Sequence, residues 1–157
     1  MQWIRQLISY GLTLTAIIAL VTVVPRCSRL RVEPEYNDID KLNIDESITA
    51  DSGASLASLA IGDAIAFRLG DQAGGTGQLC LGWIAALPGD EVAISDQAVF
   101  VNGSKTTHGD LLTLPDRAPT MIPAGHCFVV SDHHQFDSLA YGPLPAAAIC
   151  GKLRSLP

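Results

Sequence analysis

The segment LCLGWIAALPGDEVAI, residues 79–94, contains two apolar runs joined by a Leu-Pro-Gly-Asp sequence. The first run suits a strand buried on both faces, and the second alternates in polarity as a half-buried strand does. Proline and glycine fit the centre of a tight turn, because proline presets φ and glycine accepts a positive φ. Asp90 here, and Asp63 after Gly62, are expected to hold turns as side-chain acceptors. The segment therefore predicts a strand, a turn and a second strand.

The chain on both sides of this segment has the same organisation. Short apolar runs such as AIAFR (64–68) and HCFVV (126–130) alternate with turns, and the pair Asn102-Gly103 is typical of a β-hairpin. Fourteen glycines, nine prolines and only 6% aromatic residues also favour a turn-rich β architecture. No amphipathic run of helix length occurs after residue 31. We therefore predict one mainly β, antiparallel domain at residues 48–157.

An apolar segment, LISYGLTLTAIIALVTVV, begins at Leu7 and ends at Val24 and contains no charged residue. As a helix it is roughly 27 Å long, close to the ~30 Å hydrocarbon core of a bilayer. We predict a single-pass membrane anchor with a basic flank at residues 1–31, followed by an acidic linker at residues 32–47. A cleaved secretory signal is the competing interpretation, but VTVVPRC lacks the small-x-small cleavage pattern.

Charge separates the N-terminal region from the main domain. The chain has a net charge of -6, but beyond residue 31 it contains six basic and sixteen acidic side chains. An acidic domain does not attract phosphate backbones, so we expect no nucleic-acid partner. Three arginines follow the apolar segment and one precedes it. Counted alone, these charges favour a cytoplasmic main domain.

The four cysteines have no metal-binding spacing. Cys27, Cys80, Cys127 and Cys150 form no C-x-x-C pair, so we predict neither a metal site nor a cofactor. In an oxidising compartment one pair among the last three is able to form a disulfide, but buried free thiols are the favoured state.

Four ordered segments carry a resemblance to a known family. They are SGASLASLAIGDAIAFR (52–68), GWIAALPGDEVAI (82–94), VFVNG (99–103) and SDHHQFDSLAYGPLPAAAICGKL (131–153). Together they resemble the signal peptidase I family of membrane-bound serine endopeptidases, including its conjugative-transfer members. The resemblance implies a signal peptidase I-like β domain with one N-terminal transmembrane helix, on the outer or periplasmic face of the cytoplasmic membrane. It also implies a groove that accepts an extended peptide by strand addition.

The residues that carry the family's chemistry are missing from the matching positions. Aligned on the Ile61-Gly62-Asp63 sequence, the nucleophilic serine falls on Ala54 and the general-base lysine falls on Gly82. A serine hydroxyl needs an adjacent base at neutral pH, and alanine and glycine supply neither group. We therefore predict a catalytically inactive protein that keeps its groove for signal-like peptides.

The closing segment keeps part of the family pattern. Asp137 and Ser138 match, but the arginine that pairs with this aspartate is replaced by Leu139. The serine that steadies the lysine falls near Gln135. Trp83, in place of an arginine, is expected to pack into or cap the space of the missing catalytic pair. The candidate groove residues are Leu56, Ala57, Trp83, Asp137 and Ser138.

The alternative is an active endopeptidase that removes signal peptides with Ser55 as its nucleophile. No lysine occurs between Lys41 and Lys105, so its base would be His133 or His134. A purely structural module of a secretion or conjugation apparatus is a third interpretation. The partners expected of the inactive protein are the membrane, signal-like peptides and an active signal peptidase.

Overall fold

The structure is a computed structural model of the 157-residue chain, and it describes residues 27–31, 48–69, 77–106, 116–131 and 137–154. In these residues the strands are β1 (Cys27–Leu30), β2 (Ile48–Asp51), β3 (Ala64–Arg68), β4 (Leu79–Ala86), β5 (Glu91–Ser95), β6 (Ala98–Val101), β7 (Ser104–Lys105), β8 (Arg117–Met121), β9 (His126–Val130), β10 (Leu144–Pro145) and β11 (Ile149–Leu153). The helix α1 spans Ser138–Tyr141, and 3-10 turns lie at Leu56–Ser58 and Ala146–Ala148.

The strands form two antiparallel sheets. The larger sheet has the order β1-β2-β11-β3-β4-β9-β10, and the smaller has the order β7-β6-β5-β8. Strand β4 lies inside the larger sheet between β3 and β9, and the turn after it leads into β5 of the smaller sheet. The mainly β, antiparallel prediction is therefore confirmed, and the segment at residues 79–94 joins the two sheets.

Three clusters of buried side chains hold these sheets together. The β2-side cluster comprises Ile48, Ala50, Ala64, Ala66, Leu79, Leu81 and Leu153. The bridging cluster comprises Ala85, Ala86, Val92, Ile94, Val99, Val101, Ile122, Phe128, Val130 and Leu139. The site-side cluster comprises Leu59, Ile65, Phe67, Leu69, Cys80, Ile84, Cys127, Val129 and Leu144. Because successive strand residues point to opposite faces, β4 contributes to all three clusters.

The predicted turn chemistry is present in both aspartate turns. The amide of Leu87 donates to Asp90 Oδ2 at 2.8 Å, and the amide of Ala60 donates to Asp63 Oδ2 at 2.8 Å. The glycine inside each turn has a positive φ, as a type II turn requires. These turns confirm the structural role expected of the two aspartates.

The Asn102-Gly103 hairpin is also confirmed, and it is tied to the Leu-Pro-Gly-Asp turn. Asn102 and Gly103 have φ values of 51° and 78° between β6 and β7, the geometry of a type I′ turn. The Asn102 side chain donates from Nδ2 to Asp90 Oδ1 at 2.8 Å and accepts from the Glu91 amide at 2.9 Å. The Asn102 side chain therefore links two turns that are separate in sequence.

The N-terminal expectations lie mostly outside the described residues. Residues 7–24, the predicted membrane anchor, and the linker at residues 32–47 belong to the part that the structure does not describe. Among the residues that it does describe, no helix is long and apolar enough to cross a membrane. Strand β1 falls within the predicted basic flank. Its sequence, CSRL, has too little alternation to predict a strand.

The three cysteines left open by the sequence are free thiols. Cys80 and Cys127 are buried, and Cys150 is half-buried. Burial raises the pKa of the Cys127 thiol to about 11. Burial also raises the pKa of Cys150, and the nearby Arg68 opposes that shift.

Candidate active site

The loop at residues 52–63 carries the position of the family's nucleophile. It begins where β2 ends, since the Ala54 amide donates to the Asp51 carbonyl at 3.2 Å. It ends against β4, where the Gly62 amide donates to the Ile84 carbonyl at 2.7 Å. Between these attachments Leu59 is buried in the site-side cluster. The loop is therefore fastened across one face of the larger sheet.

Ala54 and Gly82, the two positions of the missing catalytic pair, adjoin the same face. Ala54 packs against the site-side cluster. Gly82 lies on β4 between Cys80 and Ile84, which both belong to that cluster. Both positions therefore adjoin the site-side cluster, and they carry only a methyl group and a hydrogen atom. Neither a nucleophile nor a base stands there.

A side chain at position 82 would clash with its neighbours where they now lie. A Cβ atom built there lies 2.6 Å from Val129 Cγ1, 3.0 Å from the Val130 carbonyl oxygen and 3.4 Å from Phe67 Cε1. The first distance is shorter than van der Waals contact allows, and a close-packed interior yields little. Residues of β3 and β9 therefore pack directly against position 82.

Trp83 does not fill this space, in contrast to the expectation. It follows Gly82 on an extended strand, so its side chain points to the opposite face. There it is half-buried and packs against the β2-side and bridging clusters. Val129 and Phe67 occupy the site-side face instead.

Ser55, the alternative nucleophile, lies on the outside of the loop. It is exposed, its backbone is extended with φ -107° and ψ 160°, and it precedes the 3-10 turn. Ser58 Oγ accepts from the Ser55 amide at 3.0 Å and donates to the Ser55 carbonyl at 2.8 Å. Because adjacent extended residues point apart, the Ser55 side chain is directed away from the face that Ala54 contacts.

The bases proposed for Ser55 fall outside the described residues. His133, His134 and Gln135 belong to the segment at residues 132–136, which the structure does not describe. His126, at the start of β9, is the histidine that the described residues include. Its Nδ1 atom lies 3.1 Å from the carbonyl oxygen of Ala124.

Lys152 is a residue of the site region that the sequence analysis missed. Strand β11 places it opposite Ile65, which in turn lies opposite Gly82 on β4. Its Nζ lies 2.7 Å from Asp63 Oδ1, at the end of the loop. This ion pair fastens the loop to β11. Only the register of strands that are distant in sequence reveals it, so no local motif predicts it.

Asp137 and Ser138 connect α1 to β9 through buried hydrogen bonds. Asp137 Oδ1 accepts from the amides of Leu139 at 2.9 Å and Ala140 at 3.4 Å, which caps α1. Its Oδ2 accepts from the Ser131 amide at 3.1 Å and hydroxyl at 3.3 Å. Ser138 Oγ accepts from the Val129 amide at 2.9 Å. These bonds tie α1 to β9.

The packing around Leu139 explains why an arginine is unfavourable at this position. Leu139, which stands in its place, is 2% exposed and belongs to the bridging cluster. A buried guanidinium there would require a charge partner and the loss of apolar packing. Amide and hydroxyl donors satisfy the Asp137 carboxylate instead.

The five groove candidates are not brought together in one groove. Leu56 packs against the site-side cluster, Ala57 is exposed, and Trp83 faces the opposite side of β4. Asp137 and Ser138 line a separate cavity of about 470 Å³ beside the end of β3, with Phe67, Arg68, Tyr141 and Leu144. The cavity and the loop share the site-side cluster, because Phe67 belongs to it.

Comparison with known proteins gives three results. The family model described as "Signal peptidase, peptidase S26" matches residues 1–156. A solved signal peptidase I from Enterococcus faecalis V583 is 21% identical, with a TM-score of 0.48, and the match covers 61% of this chain and 97% of that one. A search of curated proteins gives no match.

Proposed function

The chain belongs to the peptidase S26 family of signal peptidases, and we propose that it is a catalytically inactive member that binds extended, signal-like peptides. In this proposal residues 7–24 anchor it in the cytoplasmic membrane, with the β domain on the outer or periplasmic face. The three arginines after residue 24 then contact anionic headgroups. The partners are signal-like segments of exported proteins or an active signal peptidase that presents them.

The closed position at Gly82 is the observation that carries the proposal. Loss of a serine alone is reversible by one substitution, but here the space for the base is also filled by Val129. A lysine serves as a base only when it is buried, neutral and within reach of the hydroxyl. No lysine stands at this position, and a side chain there would require Val129 to shift, which supports loss of the serine-lysine chemistry.

Peptide binding is supported by the strand that leads into the loop. Strand β2 ends at Asp51, three residues before Ala54, so an extended peptide that took the place of β1 on β2 would run beside the loop. Strand addition depends on backbone hydrogen bonds and on positions for alternate side chains, neither of which needs the catalytic residues. Loss of catalysis is therefore compatible with retained binding.

Cleavage of a pre-protein by the detergent-solubilised full chain tests the loss of chemistry. We expect no cleavage by the wild type and none by Ala54→Ser with Gly82→Lys, because Val129 still obstructs residue 82. Adding Val129→Ala to that pair is expected to give measurable cleavage. Wild-type cleavage that disappears in Ser55→Ala would instead establish the active endopeptidase with Ser55 as nucleophile.

Binding is measured separately, by fluorescence anisotropy of a labelled signal-like peptide with the same wild-type protein. We expect saturable binding that persists in Ser55→Ala, because Ser55 points away from the site-side cluster. A scrambled peptide of the same composition is the matched control. Equal binding of both peptides, or of neither, would contradict the proposed function.

A further inference from the structure

The outer edge of β2 is occupied by the chain itself. Strand β1 pairs antiparallel with β2 along its whole length, from Cys27 opposite Asp51 to Leu30 opposite Ile48. The other edge of β2 pairs with β11. In the described residues β1 is the outermost strand on this side of the larger sheet. A peptide that adds to β2 beside the loop therefore meets β1 in its place.

The register brings the start of β1 to the candidate site. Cys27 lies opposite Asp51, the last residue of β2, and the loop with Ala54 follows directly. In sequence, only two residues separate Cys27 from the apolar segment that ends at Val24. A signal peptide likewise has its apolar region directly before the segment that a peptidase receives, although VTVVPRC here lacks the small-x-small pattern. The extended segment that lies next to the site therefore follows an apolar segment, as in a signal-like sequence.

The side chains of β1 alternate as those of a bound strand do. Leu30 packs against the β2-side cluster, and the half-buried Ser28 lies opposite Ala50, which is fully buried. Arg29, between them, is exposed opposite the exposed Thr49. Ser28 and Leu30 therefore lie on the face of the sheet that carries the β2-side cluster, while the backbone of β1 pairs with β2. This is the pattern of strand addition.

We propose that β1 is a built-in pseudo-ligand: it occupies the peptide-binding edge of β2, and a signal-like peptide from another protein binds there only after β1 has left. This inference rests on the proposed function. An internal competitor acts at a high effective concentration, so it weakens external binding without any change at the site. The apparent affinity falls in proportion to the fraction of molecules whose edge is free.

Two variants of the full chain in detergent test the proposal: one holds β1 on β2, and the other releases it. Arg29→Cys with Thr49→Cys places two cysteines opposite each other on exposed positions, within the Cα separation that a disulfide spans. Oxidation locks β1, peptide mapping confirms the bond, and reduction restores the starting state in the same molecule. Leu30→Asp removes the apolar contact of β1 and releases it. Arg31→Asp, at an exposed residue just beyond β1, controls for the added negative charge.

Anisotropy is measured with two labelled probes, a synthetic signal-like peptide and a peptide of the β1 sequence with Cys27→Ser. We expect Leu30→Asp to tighten binding of both probes by about tenfold or more, and the oxidised lock to abolish it. The reduced lock and Arg31→Asp are expected to match the wild type. Near-ultraviolet circular dichroism checks that Leu30→Asp remains folded.

Unchanged binding of both probes in the oxidised lock would overturn the pseudo-ligand, whatever Leu30→Asp does. Failure of the proposed function gives a different result. In that case the β1 peptide binds Leu30→Asp more tightly and does not bind the oxidised lock, while the signal-like peptide binds none of the variants. That result supports self-occupancy of the edge and rejects signal-like peptides as ligands.

Discussion

At the scale of single residues, Gly82 decides what the site is able to do. Val129 and Phe67 both pack close to its backbone from the neighbouring strands, so the absence of a side chain is part of the packing as well as the absence of a base. Under the proposed loss of catalysis, the absence of a lysine at position 82 and the packing of Val129 beside it belong together. Once a half-buried lysine loses its partner it is only a desolvation cost, and apolar packing is the more stable solution.

Gly82→Ala tests this coupling. We expect it to lower the free energy of unfolding by about 1–3 kcal/mol, because the new methyl group meets Val129 Cγ1 at 2.6 Å. Urea unfolding measures the change. Val129→Ala is expected to cost less in the Gly82→Ala background than in the wild type, since each change relieves the other. Gly53→Ala, at an exposed glycine, controls for the loss of glycine flexibility; equal effects of the two alanines would refute the steric explanation.

The buried Cys127 thiol is expected to lower the free energy of unfolding at alkaline pH. Burial raises its pKa from 9.0 to about 11 in the folded state, so its contribution is complete below pH 9 and is lost as pH rises towards 11. The unfolded thiol ionises first and draws the equilibrium towards unfolding. We expect the free energy of unfolding to fall by about 2–3 kcal/mol over this interval.

Comparison with Cys127→Ala isolates this effect from other alkaline titrations. Urea unfolding at a series of pH values is expected to give a shallower decline for the variant, although its stability at neutral pH is lower. Parallel declines for the two proteins would show that the Cys127 thiol does not contribute.

At the scale of elements, the turns behave as connected pieces and not as independent loops. The Asp90 carboxylate closes its own turn through the Leu87 amide and also accepts from Asn102 in the β6-β7 hairpin. Each turn is predictable from its glycine, because only local φ values are involved. Their connection requires the β5-β6 pairing that brings residues 91 and 102 together, and no local rule contains it.

A double-mutant cycle with Asp90→Ala and Asn102→Gly measures this connection. Glycine is used at position 102 because the native φ is 51°. We expect a coupling free energy of about 0.5–1.5 kcal/mol in urea unfolding, as for a hydrogen bond between side chains. Asp116→Ala, an exposed aspartate before β8, replaces Asp90→Ala in the control cycle, which should be additive. Additivity in both cycles would mean that the turns are independent.

At the scale of the whole molecule, Trp83 joins the two sheets. Its side chain packs against the β2-side cluster, within the larger sheet, and against the bridging cluster, which contains residues of both sheets. The family resemblance implies an arginine at this position. We expect this large apolar ring to make the folding of the two sheets interdependent.

Trp83→Ala is therefore expected to lower the free energy of unfolding by about 3 kcal/mol, and Trp83→Phe by less. In a Trp3→Phe background, Trp83 is the one remaining tryptophan of the sequence. Its fluorescence should then follow the same urea transition as far-ultraviolet circular dichroism. Two separate transitions would show that the sheets unfold independently.

Several features of this protein follow from its sequence alone. The Pro-Gly-Asp and Asn-Gly turns, the short strands between them and the antiparallel β class are local consequences of φ preferences and apolar alternation. The order of the motifs was also sufficient to recognise the signal peptidase family, now supported by the match to residues 1–156. The absence of a serine at Ala54 and of a lysine at Gly82 is likewise visible without a structure.

Only the tertiary structure decided which residues pack beside position 82 and what surrounds the loop with Ala54. Val129 closes the space beside Gly82, Trp83 lies on the other face, and Lys152 holds the loop through Asp63. Strand β1 covers the edge of β2 although its own sequence predicts no strand. Each of these facts is a contact between segments distant in sequence. Such contacts depend on strand register, and a shift of one residue reverses the face on which every side chain lies.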